Sequence, residues 1–130
     1  MLGMLKKAGR EDIEVTSAGL SDVNGAAGDP IAAALLEQKG FSADRHRPKL
    51  LTPQSARNSE MIIVMENAHK ELLCVNYPDL AEKIHLLKSF SSAFNPYDQD
   101  IKDCYRQSVY HYRLCFSEIF FSIEGLLKCI

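Results

Sequence analysis

Four thiols are the obvious nucleophiles in this 130-residue chain: Cys74, Cys104, Cys115 and Cys129. A cysteine that attacks a phosphate monoester does so inside a loop whose backbone N–H groups, with one guanidinium, hold the dianion. The same nest at a helix start lowers the thiol pKa. That arrangement needs an arginine six positions after the nucleophile. At that spacing from Cys74, Cys104 and Cys115 stand Leu80, Tyr110 and Phe121, and Cys129 has one residue after it. None of the four is a nucleophile of this kind, so covalent phosphoryl transfer has no attacking group within these residues.

Four short blocks nevertheless form a pattern when taken in order. They are Val15-Thr16-Ser17-Ala18-Gly19-Leu20, Gly28-Asp29-Pro30, Gly40-Phe41-Ser42-Ala43-Asp44-Arg45-His46-Arg47 and Met61-Ile62-Ile63-Val64-Met65-Glu66. In order and approximate spacing they resemble the low-molecular-weight protein tyrosine phosphatase family, and the resemblance covers almost the whole chain. Members of that family open with a strand running into Cys-x5-Arg-Ser/Thr-Pro. Met1-Leu2-Gly3-Met4-Leu5-Lys6-Lys7 is similar to the residues directly after that proline. The resemblance thus implies that Met1 is an internal methionine and that the first strand and the catalytic loop are missing.

The resemblance also implies roles for individual residues. Ser17 and His46 fall where the family supports its phosphate loop by hydrogen bonds from behind, which keeps the loop N–H groups aimed at the ligand. Val23, in Leu20-Ser21-Asp22-Val23-Asn24, stands on the variable wall of the substrate cleft, where an aromatic often flanks the phosphotyrosyl ring. The opposite wall and the general acid come from Asp-Pro-Tyr, and here the match is Asn95-Pro96-Tyr97. Aspartic acid there protonates the leaving phenolate and then activates water, work typically worth about a hundredfold to ten-thousandfold, and an asparagine amide does neither. Tyr97 keeps the stacking ring. Asp98 is near enough along the loop to stand in as acid, though Asp98 and Asp100 also suit the capping of the final helix.

Positioning these groups calls for alternating strands and helices. Leu2 and Leu5 mark a short helix ending near Gly9, and Ile13-Glu14-Val15-Thr16-Ser17 alternates as a strand does. Asp29-Pro30 starts a helix that runs to Gly40, and Thr52-Pro53 starts a shorter one. Met61–Met65 is an unbroken apolar run expected of a strand buried on both faces. A helix over Asn67–Val75, a strand at Ile84–Leu87 and a loop over Ser89–Asp100 follow. Tyr105, Val109, Tyr112, Phe116, Ile119, Ile123 and Leu126 recur at steps of three or four, predicting one long helix from Ile101 whose stripe covers the sheet. The alternation gives an α/β class, a Rossmann-like three-layer parallel sheet, read as a single domain over 1–130.

Composition excludes several function classes. Fifteen basic and seventeen acidic residues leave no nucleic-acid stripe and no polybasic membrane patch, and no apolar run reaches bilayer length. The cysteine spacing fits no zinc site, so no metal and no cofactor are expected, and the thiols read as reduced and mostly buried in a cytoplasmic protein. Three functional readings stand. The first is a tyrosine phosphatase whose partner is a phosphotyrosine protein or small aryl phosphate, inactive as written. The second is a non-catalytic relative binding an anion or a protein. The third is a truncated product without function. An arsenate reductase of the same fold would need paired resolving cysteines, and Cys74 is alone in that neighbourhood. Loss of a middle strand would leave the Ile13 strand short of a neighbour, predicting marginal stability or dimerisation across the gap.

Overall fold

The computed structural model describes residues 4–5, 8–20, 30–41, 49–92, 95–104 and 107–130. The chain divides into two compact units, Met1–Leu51 and Thr52–Ile130.

In the first unit, glycine ends two helical segments in the same way. Gly9 has φ 71°. Around it the N–H of Arg10 reaches back to the Leu5 carbonyl at 2.9 Å, and that of Ala8 to Met4 at 3.0 Å. Helix α1, Pro30–Gln38, ends likewise. Gly40 adopts φ 80°, the N–H of Phe41 bonds the Leu36 carbonyl at 2.9 Å, and the N–H of Gly40 bonds Glu37 at 3.0 Å. Both are left-handed caps that satisfy last-turn carbonyls, and a side chain without Cβ takes that φ at little cost.

The expected strand at Ile13–Ser17 differs. Ile13 and Val15 are half-buried and Glu14 and Thr16 exposed, so the alternation is present, yet no ladder among the described residues includes the segment. Alternation sets which side chains turn inward, but a strand is defined by a hydrogen-bonded neighbour. The first parallel pairing comes at Gly19, whose N–H meets the Lys49 carbonyl at 2.7 Å and whose carbonyl accepts from Leu51 at 2.9 Å.

The second unit opens with α2, Pro53–Asn58, on a complete capping box: Thr52 Oγ1 accepts from the Ser55 N–H at 3.1 Å, and Ser55 Oγ accepts from the Thr52 N–H at 3.2 Å. The other end of α2 is closed by Lys83, whose ammonium donates to the carbonyls of Arg57 at 3.0 Å and Ser59 at 2.7 Å. Strand β1, Ile62–Val64, pairs in parallel with β2, Ile84–Leu86, in the register Ile62–Ile84, Ile63–His85, Val64–Leu86. Helix α3, Asn67–Asn76, and a 3-10 turn at Pro78–Lys83 make the crossover, with α3 packed on both strands. The apolar run around β1 is less enclosed than expected: Val64 is buried, but Ile62 and Ile63 are half-buried and Met61 and Met65 more exposed still.

A second 3-10 turn, Leu87–Phe90, follows β2, and the final helix, α4, spans Val109–Leu127. The helix begins later than the periodicity from Ile101 implies. The Ile101 N–H is engaged by the Met65 carbonyl at 2.8 Å, and Ser108 provides the cap, its Oγ accepting from the His111 N–H at 3.4 Å. Tyr112, Ile123 and Leu126 are buried as the stripe predicts, Phe116 and Ile119 half-buried, and Val109 exposed. Tyr105 lies outside the described residues. The main partner of this face is the Leu87–Phe90 turn rather than the strands. Gly125 makes that contact possible, because a Cβ there would lie 2.8 Å from the carbonyl carbon of Phe90 and closer still to its oxygen. Buried Ser122 donates to the Glu118 carbonyl at 2.7 Å, so its hydroxyl is satisfied within the helix.

Candidate functional site

Open parallel sheets bind ligands beyond the carboxyl ends of their strands. The loop that carries Asn95, Tyr97 and Asp98 is tied down at that end of β1. Beside the Ile101–Met65 backbone bond, Asp100 Oδ1 accepts from the N–H of Asn67, the first residue of α3, at 2.7 Å. Glu66, the residue in the N-cap position of α3, makes no side-chain cap, so Asp100 supplies the acceptor from across the fold.

The turn itself is closed twice. The Asn95 carbonyl accepts from the Asp98 N–H at 3.0 Å, and the Asn95 side-chain oxygen accepts from the Tyr97 N–H at 3.0 Å. Gln99 adds a side-chain bond to the Pro96 carbonyl at 2.8 Å. Proline presets the backbone after Asn95, and the short polar side chain mimics a turn of the main chain. The Tyr97 ring projects almost wholly into solvent, at 97% exposure.

Beneath the turn sits Lys88, which sequence reasoning did not single out. Its ammonium lies 2.9 Å from Asp98 Oδ2, 3.3 Å from Glu118 Oε2 and 3.3 Å from the Asp100 carbonyl. The side chain is 12% exposed. Burial alone would favour loss of its proton, but the bonds and charges of Asp98 and Glu118 prevail and its pKa is raised. Lys88 therefore joins the loop, the turn after β2 and α4 through one cation. No local signal marks it, because its three partners lie ten or more residues away in sequence.

The sequence-derived roles can now be placed. Asn95, Tyr97 and Asp98 share one turn, with the Asn95 amide oxygen occupied by the turn and one Asp98 oxygen by Lys88. Capping of the final helix by Asp98 and Asp100 is corrected: Asp100 caps α3, Asp98 pairs with Lys88, and Ser108 caps α4. Ser17 belongs to the first unit and is exposed. Val23 and His46 lie outside the described residues. The cysteines are free thiols, three of them half-buried and Cys129 exposed, so they are less buried than expected. Among the described residues no helix is long and apolar enough to cross a membrane.

A family model described as "Low molecular weight phosphotyrosine protein phosphatase" matches residues 1–130. The probable low molecular weight protein-tyrosine-phosphatase AmsI of Erwinia amylovora is 33% identical over 104 residues, which take in 80% of this chain and 69% of that protein. A protein-arginine-phosphatase of Geobacillus stearothermophilus is 28% identical over 116 residues, 89% of this chain and 76% of the relative. The crystal structure of a low molecular weight protein tyrosine phosphatase from T. tengcongensis superposes with TM-score 0.87 at 26% identity, covering 98% of this chain and 84% of that one. The Rossmann-like α/β fold with a parallel sheet is theirs as well. The chain belongs to the low molecular weight phosphotyrosine protein phosphatase family.

Proposed function

We propose that residues 1–130 serve as one phosphatase domain whose cleft receives a phosphate monoester, with a phosphotyrosine protein or a small aryl phosphate as the ligand. The observation that carries this reading is the Asn95–Asp98 turn. In a chain that matches the family throughout, it is fixed at the carboxyl end of β1 and holds the Tyr97 ring out to solvent, free to lie against an aromatic leaving group. On the same reading the family roles carry over to Val23 as a substrate contact and to Ser17 and His46 as supports of the phosphate loop.

The chemistry available to these residues is limited. No cysteine among them has the arginine spacing that a cysteinyl-phosphate requires, so hydrolysis through that intermediate depends on a Cys-x5-Arg loop that they do not contain. The Asn95 amide has no acidic proton to transfer to a phenolate. It does supply the oxygen that closes the turn, and a carboxylate would supply the same oxygen, so an aspartate at this position fits the geometry unchanged. Asp98 as a substitute acid would have to leave Lys88, whose ammonium is bonded to its Oδ2 at 2.9 Å.

Asn95 also favours a second reading, a non-catalytic relative that binds an anion or a protein partner through the same cleft. The two separate by restoring a family-like strand and Cys-x5-Arg-Ser-Pro segment ahead of Met1 and assaying aryl phosphate, with phosphoarginine as a parallel substrate. Turnover with Asn95 in place assigns the acid to another group. An inert protein revived by Asn95→Asp assigns the loss to that side chain, and a protein inert in both forms sinks the catalytic reading. A cytoplasmic location, and dimerisation along the Ile13–Ser17 segment, go with the proposal. Unfolding that is sharp, well above room temperature and independent of protein concentration would remove the dimer from it.

A further inference from the structure

Helix α4 carries a second apolar stripe on the side turned away from the core. At about 100° of rotation per residue, buried Tyr112, Ile123 and Leu126 share one narrow arc, and Tyr110, Leu114 and Phe121 lie opposite it. Those three outer side chains are 70%, 48% and 64% exposed. With Ser117, Glu124 and Lys128 they recur at alternating steps of four and three residues, the spacing of a seam along which one helix meets another. The inner stripe belongs to the core of the second unit. The outer one, apolar and open to solvent, has the character of an interaction surface.

Charge indicates which occupant this face suits. Arg113 and Glu124 are exposed and enter no ion pair among the described residues. They stand eleven residues apart in the sequence, which is three turns and about 20°, so both flank the outer stripe on the same side. We infer that this face of α4 pairs with the same face of a second copy of the chain, antiparallel, about a two-fold axis. The midpoint of Leu114 and Phe121 and that of Arg113 and Glu124 fall within one residue of each other, about 1.5 Å along the helix. One axis therefore brings Leu114 onto the partner's Phe121 and Arg113 onto the partner's Glu124 together, and symmetry repeats both contacts. Ser117, close to that axis, is small enough to let the two helices approach.

The opposite orientation is disfavoured by the same charges. Parallel helices would set Arg113 beside the partner's Arg113 and Glu124 beside the partner's Glu124, so the flank selects the antiparallel pair. Two nineteen-residue helices in contact cover less than the roughly 800 Å² per partner of a standard interface, so the dimer is weak, with a Kd on the order of tens of micromolar. It is separate from any pairing along the Ile13–Ser17 segment, which changes on the outer face of α4 leave as it is.

The test is sedimentation of the whole chain over a concentration series that brackets this Kd. The parent's average mass should rise with concentration. Leu114→Glu and Phe121→Glu should lose that rise while keeping the parent's unfolding midpoint at low concentration, since both side chains point away from the core. The charge variants give the orientation. Arg113→Glu alone and Glu124→Arg alone each put two like-charged contacts into a homodimer and should weaken it by roughly tenfold. An equimolar mixture of the two has opposite charges at both contacts and should associate as the parent does, as should the protein carrying both changes. A mixture no tighter than its components would overturn the inference. So would a rise left unchanged by Leu114→Glu and Phe121→Glu, since the copies then meet elsewhere. A parent monomeric throughout, whether or not vesicles of anionic lipid capture it, would overturn it too.

Discussion

Replacing Gly125 by alanine tests how closely α4 rests on the turn after β2. Helix propensity alone favours the change by about 1 kcal/mol, because alanine loses less backbone freedom than glycine. The contact opposes it. The new Cβ would lie 2.8 Å from the Phe90 carbonyl carbon and about a further ångström closer to its oxygen, where ordinary contact begins at 3.4 Å. The 0.6 Å by which the carbon requires helix and turn to part is therefore a lower bound, the oxygen requires well over 1 Å, and the loss worked below is a minimum. A gap of about 0.5–1 Å removes roughly a quarter to a half of the dispersion between facing atoms. A buried leucine makes about 40–60 such contacts at about 0.1–0.2 kcal/mol each. Leu87 on the turn and Leu126 on the helix are both buried here. Allowing for partial relaxation, that loss is about 2–4 kcal/mol, and after the propensity gain a net destabilisation of about 2 kcal/mol is expected, within the usual range for overpacking. For a chain of this size it lowers Tm by roughly 6–10 °C. Urea unfolding at equilibrium should show a lower midpoint with an unchanged slope. A Gly125→Ala protein as stable as the parent, or more so, would refute the reasoning, since it would mean that the Phe90 turn yields freely. Gly9 is the control of opposite kind: no atom lies within 4 Å of its Cβ position and only its φ of 71° resists a side chain, so Gly9→Asn should be tolerated better than Gly9→Ala.

Other outcomes follow from single contacts. Asp100→Ala should destabilise the protein by about 1 kcal/mol and speed amide exchange at Asn67, while Asp100→Asn keeps most of the cap. Thr52→Ala should cost about 1 kcal/mol through loss of the capping box, read from denaturant midpoints. Stability should fall on the alkaline side. The Lys88 pKa is raised from 10.5, so the help of its ion pairs is whole below that pH and is lost as pH rises through the folded value. The Cys115 thiol, raised from 9.0 to about 12, acts in the same sense across that window. Unfolding midpoints measured against pH should therefore fall less steeply than for the parent above pH 9 for Cys115→Ala and above pH 10.5 for Lys88→Met. Equal slopes would remove both groups from the account.

What the sequence disclosed was local. Thr52-Pro53 with Ser55, and the glycines at 9 and 40, specify their caps within a few residues, so the helix ends could be read directly. The apolar runs located β1 and β2, since a parallel strand announces itself by composition. What stayed hidden depends on distant partners. Ile101 looks like the first residue of the final helix until its N–H is found on Met65, and Asp100 looks like a cap for that helix until it is found on Asn67. Lys88 gave no hint at all, because a lysine within a turn that follows a strand has no characteristic spacing to acids at 98 and 118. At the candidate site, the resemblance located the Asn95–Tyr97 turn, but only coordinates could reveal that the asparagine oxygen is engaged in holding it.

The paired attachments of Asp100 and Ile101 to the end of β1 and the start of α3 also bear on how this loop can change length over evolutionary time. A residue added between Phe90 and Asn95 enters upstream of the anchors and can bulge outward while the turn stays where it is. A residue added between Asp98 and Ile101 lengthens the chain between its own moorings, so that the Lys88 pair of Asp98, the helix cap or the Met65 bond must be surrendered or the added residue must bulge between them. The loop thus behaves as a pendulum with a fixed pivot at its downstream end. Insertions and deletions among natural homologues should gather on the upstream side, and the three residues leading into the pivot should keep their number even where their identities drift.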